Sequence, residues 1–346
     1  MSELISKILD WRTSYLLTHQ FDKTPTIPII IFEVLIISFA LILLIALSKI
    51  KSRIFLRFLI VTYGIFIFEF FTSPMWNNYK MGTWAYIYQD VSWILTIGWA
   101  SLVLCVVILV DKFFSSWNGG KRFCIYLAIL TFLVVILESL VIRLGIRSYS
   151  PEVKEVVIGY FPFGVPFAAL YYVPVFMTLV ITFYKYWSFF MDGKPVVPLK
   201  QRRWGRSLLI SFIGVFLFEL MIEPMVVNAN LPRWSYIYRD ISLIISSGWM
   251  IIVWVAINLV DSFFIQLDLF KKFLGYLSAI FLLSLPVEAW LIVHGFRLYG
   301  PSATAAFSGI YVPGFNIPID VAFAIPLYFS LVVSFIKYWE IILDNK

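Results

Sequence analysis

Six carboxylic acids stand inside or at the edges of apolar stretches, and they come in three pairs, each 150 residues apart: Glu69 and Glu219, Asp90 and Asp240, Glu138 and Glu288. A carboxyl in a lipid-embedded helix costs about 2.5–3.5 kcal/mol on insertion scales, so such residues face a protein interior or a cavity and act there. Burial raises a carboxyl pKa, whereas a neighbouring guanidinium lowers it. An acid far from arginine keeps its proton and can donate it; an acid beside arginine stays anionic. Arg147 and Arg297, also 150 residues apart, are the nearby cations. The chemistry this division of roles fits is proton donation, with Glu138 or Glu288 as the donor and Glu69 or Glu219 as counter-ion or base.

Aromatic residues form 19% of the chain, with 34 Phe, 19 Tyr and 13 Trp. Most belong to lipid-facing or interfacial positions. The group Trp84, Tyr86, Tyr88 and Trp99 flanks the acids, however, and returns as Trp234, Tyr236, Tyr238 and Trp249. An aromatic face attracts a cation by up to about 2 kcal/mol once water is excluded. Proton donors beside such a wall suit a carbocation raised on an apolar polyene or other isoprenoid.

Other chemistries lack their parts. The chain has no H-E-x-x-H, no Walker loop and no G-x-S-x-G, and its only histidines are His19 and His294. Cys105 and Cys124 fall within apolar stretches and read as core residues rather than as a disulfide or metal pair. No metal and no cofactor is expected. Lys185 and Lys337 lie near helix ends, where a long side chain reaches the interface.

The elements that carry these residues are transmembrane helices. With 61% hydrophobic and 14% charged residues the chain is far from a soluble domain, whose charged fraction is about a quarter. Apolar runs near 27–48, 54–74, 91–111, 123–145, 166–188, 207–225, 241–262, 273–293 and 320–343 predict an all-α polytopic protein of about nine spans. Lys49, Lys51, Arg53 and Arg57, then Lys112, Lys121 and Arg122, then Lys194, Lys200, Arg202, Arg203 and Arg206, then Lys271 and Lys272 fall on alternate loops. Short cytoplasmic loops collect such charge, so the N-terminus is expected outside and the C-terminus inside, in the inner membrane if the source is bacterial. The net charge of +7 follows from that bias and the anionic lipid surface, with no nucleic-acid partner implied.

Residues 62–114 and 212–264 are one segment written twice. Gly64-x-Phe66-x-Phe68-Glu69 returns as Gly214-x-Phe216-x-Phe218-Glu219, and Trp84-x-Tyr86-Ile87-Tyr88-x-Asp90 as Trp234-x-Tyr236-Ile237-Tyr238-x-Asp240. Further on, Gly145, Arg147 and Tyr149 return as Gly295, Arg297 and Tyr299, and Pro166 and Pro174 as Pro318 and Pro326 after a two-residue insertion. The expected organisation is an interfacial segment and first helix over 1–53, a four-helix repeat over 54–191, a basic linker over 192–205 and a second four-helix repeat over 206–346. Leu4, Ile8, Trp11 and Tyr15 give the first segment one apolar helical face. An even number of spans per unit makes the repeats parallel, enclosing a central cleft. The four glutamates are expected to point into that shared interior. Asp90 and Asp240 also fit plain N-caps of the helices they precede. Asp111 and Asp261 fit interfacial anchors.

Pro74-Met75-Trp76-Asn77-Asn78-Tyr79 followed by Trp84-x-Tyr86 resembles the Pro-Trp-Asp-Asn-Tyr…Trp-x-Tyr stretch of the membrane lycopene cyclases of the heterodimeric bacterial and fused fungal type. Pro286-Val287-Glu288-Ala289-Trp290 resembles their Pro-x-Glu-Glu motif, with Ala289 at the second Glu and Asn77 at the Asp. Phe163-Gly164-Val165-Pro166 with Pro174, and Ile317-Pro318 with Pro326, are similar to a Gly-Val-Pro stretch of carotenoid hydratases. The resemblance implies carotenoid biosynthesis by protonation of a polyene end, followed by ring closure or addition of water. Parallel repeats with buried acids and kinked helices equally describe a proton-coupled transporter or channel. A third possibility is a non-catalytic scaffold whose acids lock the two halves together.

Overall fold

The computed structural model describes residues 22–155, 160–193, 204–264 and 266–344. The expected interfacial helix over the first residues and most of the basic linker lie outside them. The described residues hold nine helices long and apolar enough to cross a bilayer, and the chain is an all-α, multi-pass membrane protein. They are α1 (Ile27–Ser48), α2 (Ile54–Thr72), α3 (Trp93–Phe113), α4 (Gly119–Arg143), α5 (Phe167–Met191), α6 (Trp204–Ile222), α7 (Leu243–Phe263), α8 (Leu269–Val293) and α9 (Ile319–Asp344).

Helices α4 and α8 start four residues before the apolar runs that announced them. Asn118 and Asp268 cap them, each accepting from the backbone N–H three residues on, Lys121 at 2.8 Å and Lys271 at 3.0 Å. A polar first turn is invisible to a hydropathy reading but costs nothing where the helix end meets water. Helices α3 and α7 start later than their runs, because Val91–Ser92 and Ile241–Ser242 are short strands.

Eight such strands form four two-stranded ribbons at one end of the bundle. In the first repeat β1 (Trp76–Asn78) pairs antiparallel with the distant β4 (Arg147–Tyr149), and β2 (Tyr86–Tyr88) pairs with β3 (Val91–Ser92). In the second, β5 (Val226–Asn228) pairs with β8 (Arg297–Tyr299), and β6 (Tyr236–Tyr238) with β7 (Ile241–Ser242). The register is the same in both copies, Asn78 opposite Arg147 and Asn228 opposite Arg297. Gly145 and Gly295 make these ribbons possible: with φ +69° and +70° they end α4 and α8 and turn the chain into β4 and β8.

The repeats meet through α5 and α9, which pack against each other. Each of these helices has one proline inside it, Pro174 or Pro326. Gly64 and Gly214 let α2 approach α5 and α6 approach α9, since a Cβ there would lie 3.2 Å from Phe183 and 3.0 Å from Phe335. The buried core runs continuously through both halves.

Candidate functional site

The strand ribbons deliver Arg147 and Arg297 to the acids. In the first repeat Arg147 Nη1 contacts Glu138 Oε2 at 3.1 Å, and Tyr149 donates to Glu138 Oε1 at 2.5 Å. Cross-strand pairing sets Arg147 Nε 2.9 Å from Asn78 Oδ1. The Asn78 backbone N–H donates to Asp90 Oδ2 at 3.1 Å and its amide donates to the Asp90 carbonyl at 2.8 Å. Glu69 accepts from the Thr96 hydroxyl instead. Trp76 lies under the guanidinium, 5.4 Å from ring centre to Arg147 Cζ.

The second repeat draws the same parts tighter around one cation. Arg297 lies 3.3 Å from Glu288 and 3.6 Å from Glu219, and its Nη1 donates to Asn228 Oδ1 at 3.1 Å. Tyr299 donates to Glu288 Oε1 at 2.8 Å, and Asn228 donates to the Asp240 carbonyl at 3.0 Å. Arg297 Cζ sits 5.7 Å from the Trp249 ring centre. Arg297, Glu219 and Glu288 are each at most 3% exposed. One guanidinium therefore faces two buried carboxyls, and charge balance in a dry site asks for one proton on the pair.

The glutamates thus form two clusters, one per repeat, and the expected common pocket is absent from the cavities of the described residues. Glu69, Glu138, Arg147 and Tyr149 border a void of about 70 Å³. Glu288, Arg297 and Tyr299 border a cavity of about 610 Å³. The two share no lining residue. The end of α2 is the partition: Phe68 and Glu69 face the small void, Phe70 and Phe71 the large cavity. Two exchanges between the copies explain the difference in size. Trp76 and Tyr172, which border the void, are matched by Val226 and Ala324, which border the cavity. Phe68 fills the first site further by stacking on Phe176 with ring centres 3.8 Å apart.

The aromatic candidates separate as well. Trp249 and Tyr88 line the large cavity and Trp99 the small void. Trp84 and Trp234 are 52% and 73% exposed, on the outside of the ribbons. Tyr86 and Tyr236 donate to the Asn78 and Asn228 carbonyls, both at 3.1 Å, and Tyr238 packs edge-on against Tyr171. Asp90 and Asp240 are not N-caps; those positions belong to Ser92 and Ser242. The two acids sit in the β2–β3 and β6–β7 turns. Burial pushes Asp90 up to about 7 against the lowering effect of the Asn78 hydrogen bond, and pushes Asp240 up to about 6. His294 packs on Trp290, with ring centres 4.5 Å apart.

At the opposite end Asp111 and Asp261 do more than anchor. Asp111 pairs with Arg122 and Lys185, and Asp261 with Lys272 and Lys337. Sequence reasoning missed three polar features. Asn78 and Asn228 are the hubs of the two clusters, and their 150-residue spacing was there to be read. Glu33 in α1 is buried and accepts from the Gly82 backbone N–H at 2.8 Å. Glu223 pairs with Arg239 at 2.8 Å where the first repeat has Ser73 and Gln89, so no repetition announced it.

Comparison of the chain with protein-family models, with curated proteins and with solved structures finds no match.

Proposed function

We propose that the chain is a cofactor-independent cyclase or hydratase that takes an apolar isoprenoid, of the carotenoid kind, into the cavity that the second repeat forms with Phe70, Phe71 and Tyr88 of the first, and protonates it from Glu288. The observation that carries this reading is an aromatic-walled cavity of about 610 Å³ that ends on Glu288, Arg297 and Tyr299. Cavities of that volume fit a small organic ligand or one end of a longer one.

Glu288 borders the cavity and Glu219 does not, so Glu288 is the group that meets substrate. Arg297 reaches both acids, Glu288 at 3.3 Å and Glu219 at 3.6 Å, and donation in this reading requires the shared proton to sit on the cavity-facing Glu288 while Glu219 balances Arg297. Transfer of that proton to a terminal double bond leaves a carbocation and the Glu288 carboxylate, which Arg297 and the Tyr299 hydroxyl stabilise. Ring closure and loss of a neighbouring proton back to Glu288 give an isomer and restore the acid; capture of the cation by water, with the proton of the resulting oxonium returned to the Glu288 carboxylate, gives an alcohol instead. Phe and Tyr faces along the cavity stabilise the cation. The first repeat keeps the same polar frame around a void with room for one or two waters. Its role in this reading is structural.

The Lys and Arg residues gathered at the end opposite the clusters support an N-terminus outside and a C-terminus in the cytoplasm, with the cavity in the outer half. The test is expression of the chain in cells that accumulate lycopene and related polyenes, with products separated by chromatography and mass spectrometry. Cyclised or hydrated products are expected, lost in Glu288→Gln and kept in Glu138→Gln. Val226→Trp with Ala324→Tyr, which installs the side chains of the first repeat, also abolishes them. Products that survive Glu288→Gln would defeat the assignment. Proton-coupled uptake into liposomes, with no new product, would favour transport.

A further inference from the structure

The end of the bundle away from the glutamate clusters holds a second cavity, of about 520 Å³, lined mostly by the first repeat and completed by Tyr338 and Ile342 of α9. It is bordered by six cationic side chains, Lys49, Lys51, Arg57, Lys112, Arg122 and Lys185, and by two carboxylates, Asp111 and Asp192. Each carboxylate is already shared between two cations: Asp192 by Lys51 and Arg57, Asp111 by Arg122 and Lys185. Arg57 is 1% exposed, and Arg122 Nε is buried without a hydrogen-bond partner.

The second repeat pairs its charges differently at the matching positions. Ser207 stands where Arg57 does, Glu340 where Ser188 does and Ser262 where Lys112 does. There Glu340 accepts from Ser207 at 2.6 Å and pairs with Lys337 at 3.3 Å, while Asp261 pairs with Lys337 at 2.6 Å. Lys337 thus meets two carboxylates within its own half, and Lys272 adds a contact to Asp261 at 3.7 Å, so two lysines face two carboxylates. In the first repeat all three differences run toward positive charge, and the lost carboxylate position, Ser188, borders the cavity. The buried Arg57 and part-buried Lys185 are paired with Asp192 and Asp111, so the excess charge lies on the more exposed cations at the cavity edge, where clustered like charges repel unless an anion sits among them.

We infer that this cavity is a binding site for a phosphate group, seated among Arg57, Arg122, Lys112 and Lys185. Guanidinium forks match phosphate oxygens, and basic pockets between membrane helices take acidic headgroups. The phosphate belongs either to an anionic phospholipid or to a free phosphate or pyrophosphate.

The full chain, purified in a neutral detergent, is titrated with phosphatidylglycerol, with phosphatidylcholine, and with inorganic phosphate and pyrophosphate, and followed by native mass spectrometry and thermal unfolding. Selective retention of phosphatidylglycerol, with no response to the free anions, identifies a lipid headgroup. A shift with phosphate or pyrophosphate identifies a soluble ligand. Ser188→Glu, which restores the carboxylate of the second repeat, weakens binding about fivefold or more, and Lys112→Gln, at an exposed position, by about fivefold. The second variant decides the matter if the first does not fold. Equal retention of the two lipids with no response to either free anion overturns the proposal, as does anion binding that neither variant weakens.

Discussion

Replacing Arg297 by Gln removes the one cation that faces Glu219 and Glu288, and its cost follows from the geometry. With one proton on the pair a single carboxylate attracts Arg297, by about 5 kcal/mol at an effective dielectric constant of about 20 and the 3.6 Å separation of Glu219. That gross attraction is partly cancelled by the desolvation of Arg297 itself, and breaking buried pairs typically costs about 3–5 kcal/mol net. The second substitution Glu219→Gln removes the stranded carboxylate, so Arg297→Gln with Glu219→Gln is more stable than Arg297→Gln alone. In the first repeat Arg147→Gln strands only Glu138 in direct contact, because Glu69 is held by Thr96. Its loss should be of similar size, and Glu138→Gln should recover most of it. The assay is thermal and denaturant unfolding in one detergent of wild type, the two Arg variants and the two double variants. If Arg297→Gln unfolds with wild type, or if the double variant is less stable than Arg297→Gln, the cluster is not held by charge and the assignment of Arg297 falls.

Three further outcomes are expected. The raised Asp90 makes native stability pH-dependent: its contribution is complete below the ordinary value of 3.8 and is lost as pH rises through about 7. Asp90→Asn should therefore flatten the fall in unfolding midpoint between pH 5 and pH 8. Gly295→Ala forces a side chain into φ +70° and should cost about 1–2 kcal/mol, while Gly248→Ala, with open space around it, should be neutral or stabilising by up to about 1 kcal/mol in the same unfolding assay. Asn228→Ala takes a partner from Arg297 and from the Asp240 carbonyl and should cost about 1–3 kcal/mol, seen as faster hydrogen exchange in β5 and β8.

The nine helices were legible because a bilayer demands about 20 apolar residues per span whatever else the sequence does. Their ends were less so. The starts of α4 and α8 lie in polar turns capped by Asn118 and Asp268, and β3 and β7 hide inside apolar runs. The ribbons β1–β4 and β5–β8 were beyond reading, being three residues long and paired across some 70 positions, yet they decide which acid meets Arg147 or Arg297. Repetition singled out the acids and arginines that the fold brings together in each half, but said nothing of which void each would border. That depends on bulk, on Trp76 and Tyr172 against Val226 and Ala324, and bulk at a single position leaves no periodic trace.

Retention and divergence between the copies carry different information. The residues kept in both halves, Glu138 and Glu288, Arg147 and Arg297, Tyr149 and Tyr299, Asn78 and Asn228, make the same contacts in the same register, which is what each half needs to tie its strand ribbon to its helices. A buried pair of this kind fixes geometry even where it adds little stability. Duplication alone would therefore be met by a frame with no chemistry. What a frame does not require is the opening of one copy by Val226 and Ala324, or the unbalancing of the other by Arg57, Lys112 and Ser188. Each departure opens or charges a cavity beside polar groups the frame had already positioned. The second repeat gains room at the acid end, the first gains charge at the other, and neither half carries both. The proposed sites at the two ends thus rest on departures made in different halves, and the shared acids border open space only where the packing around them has been removed.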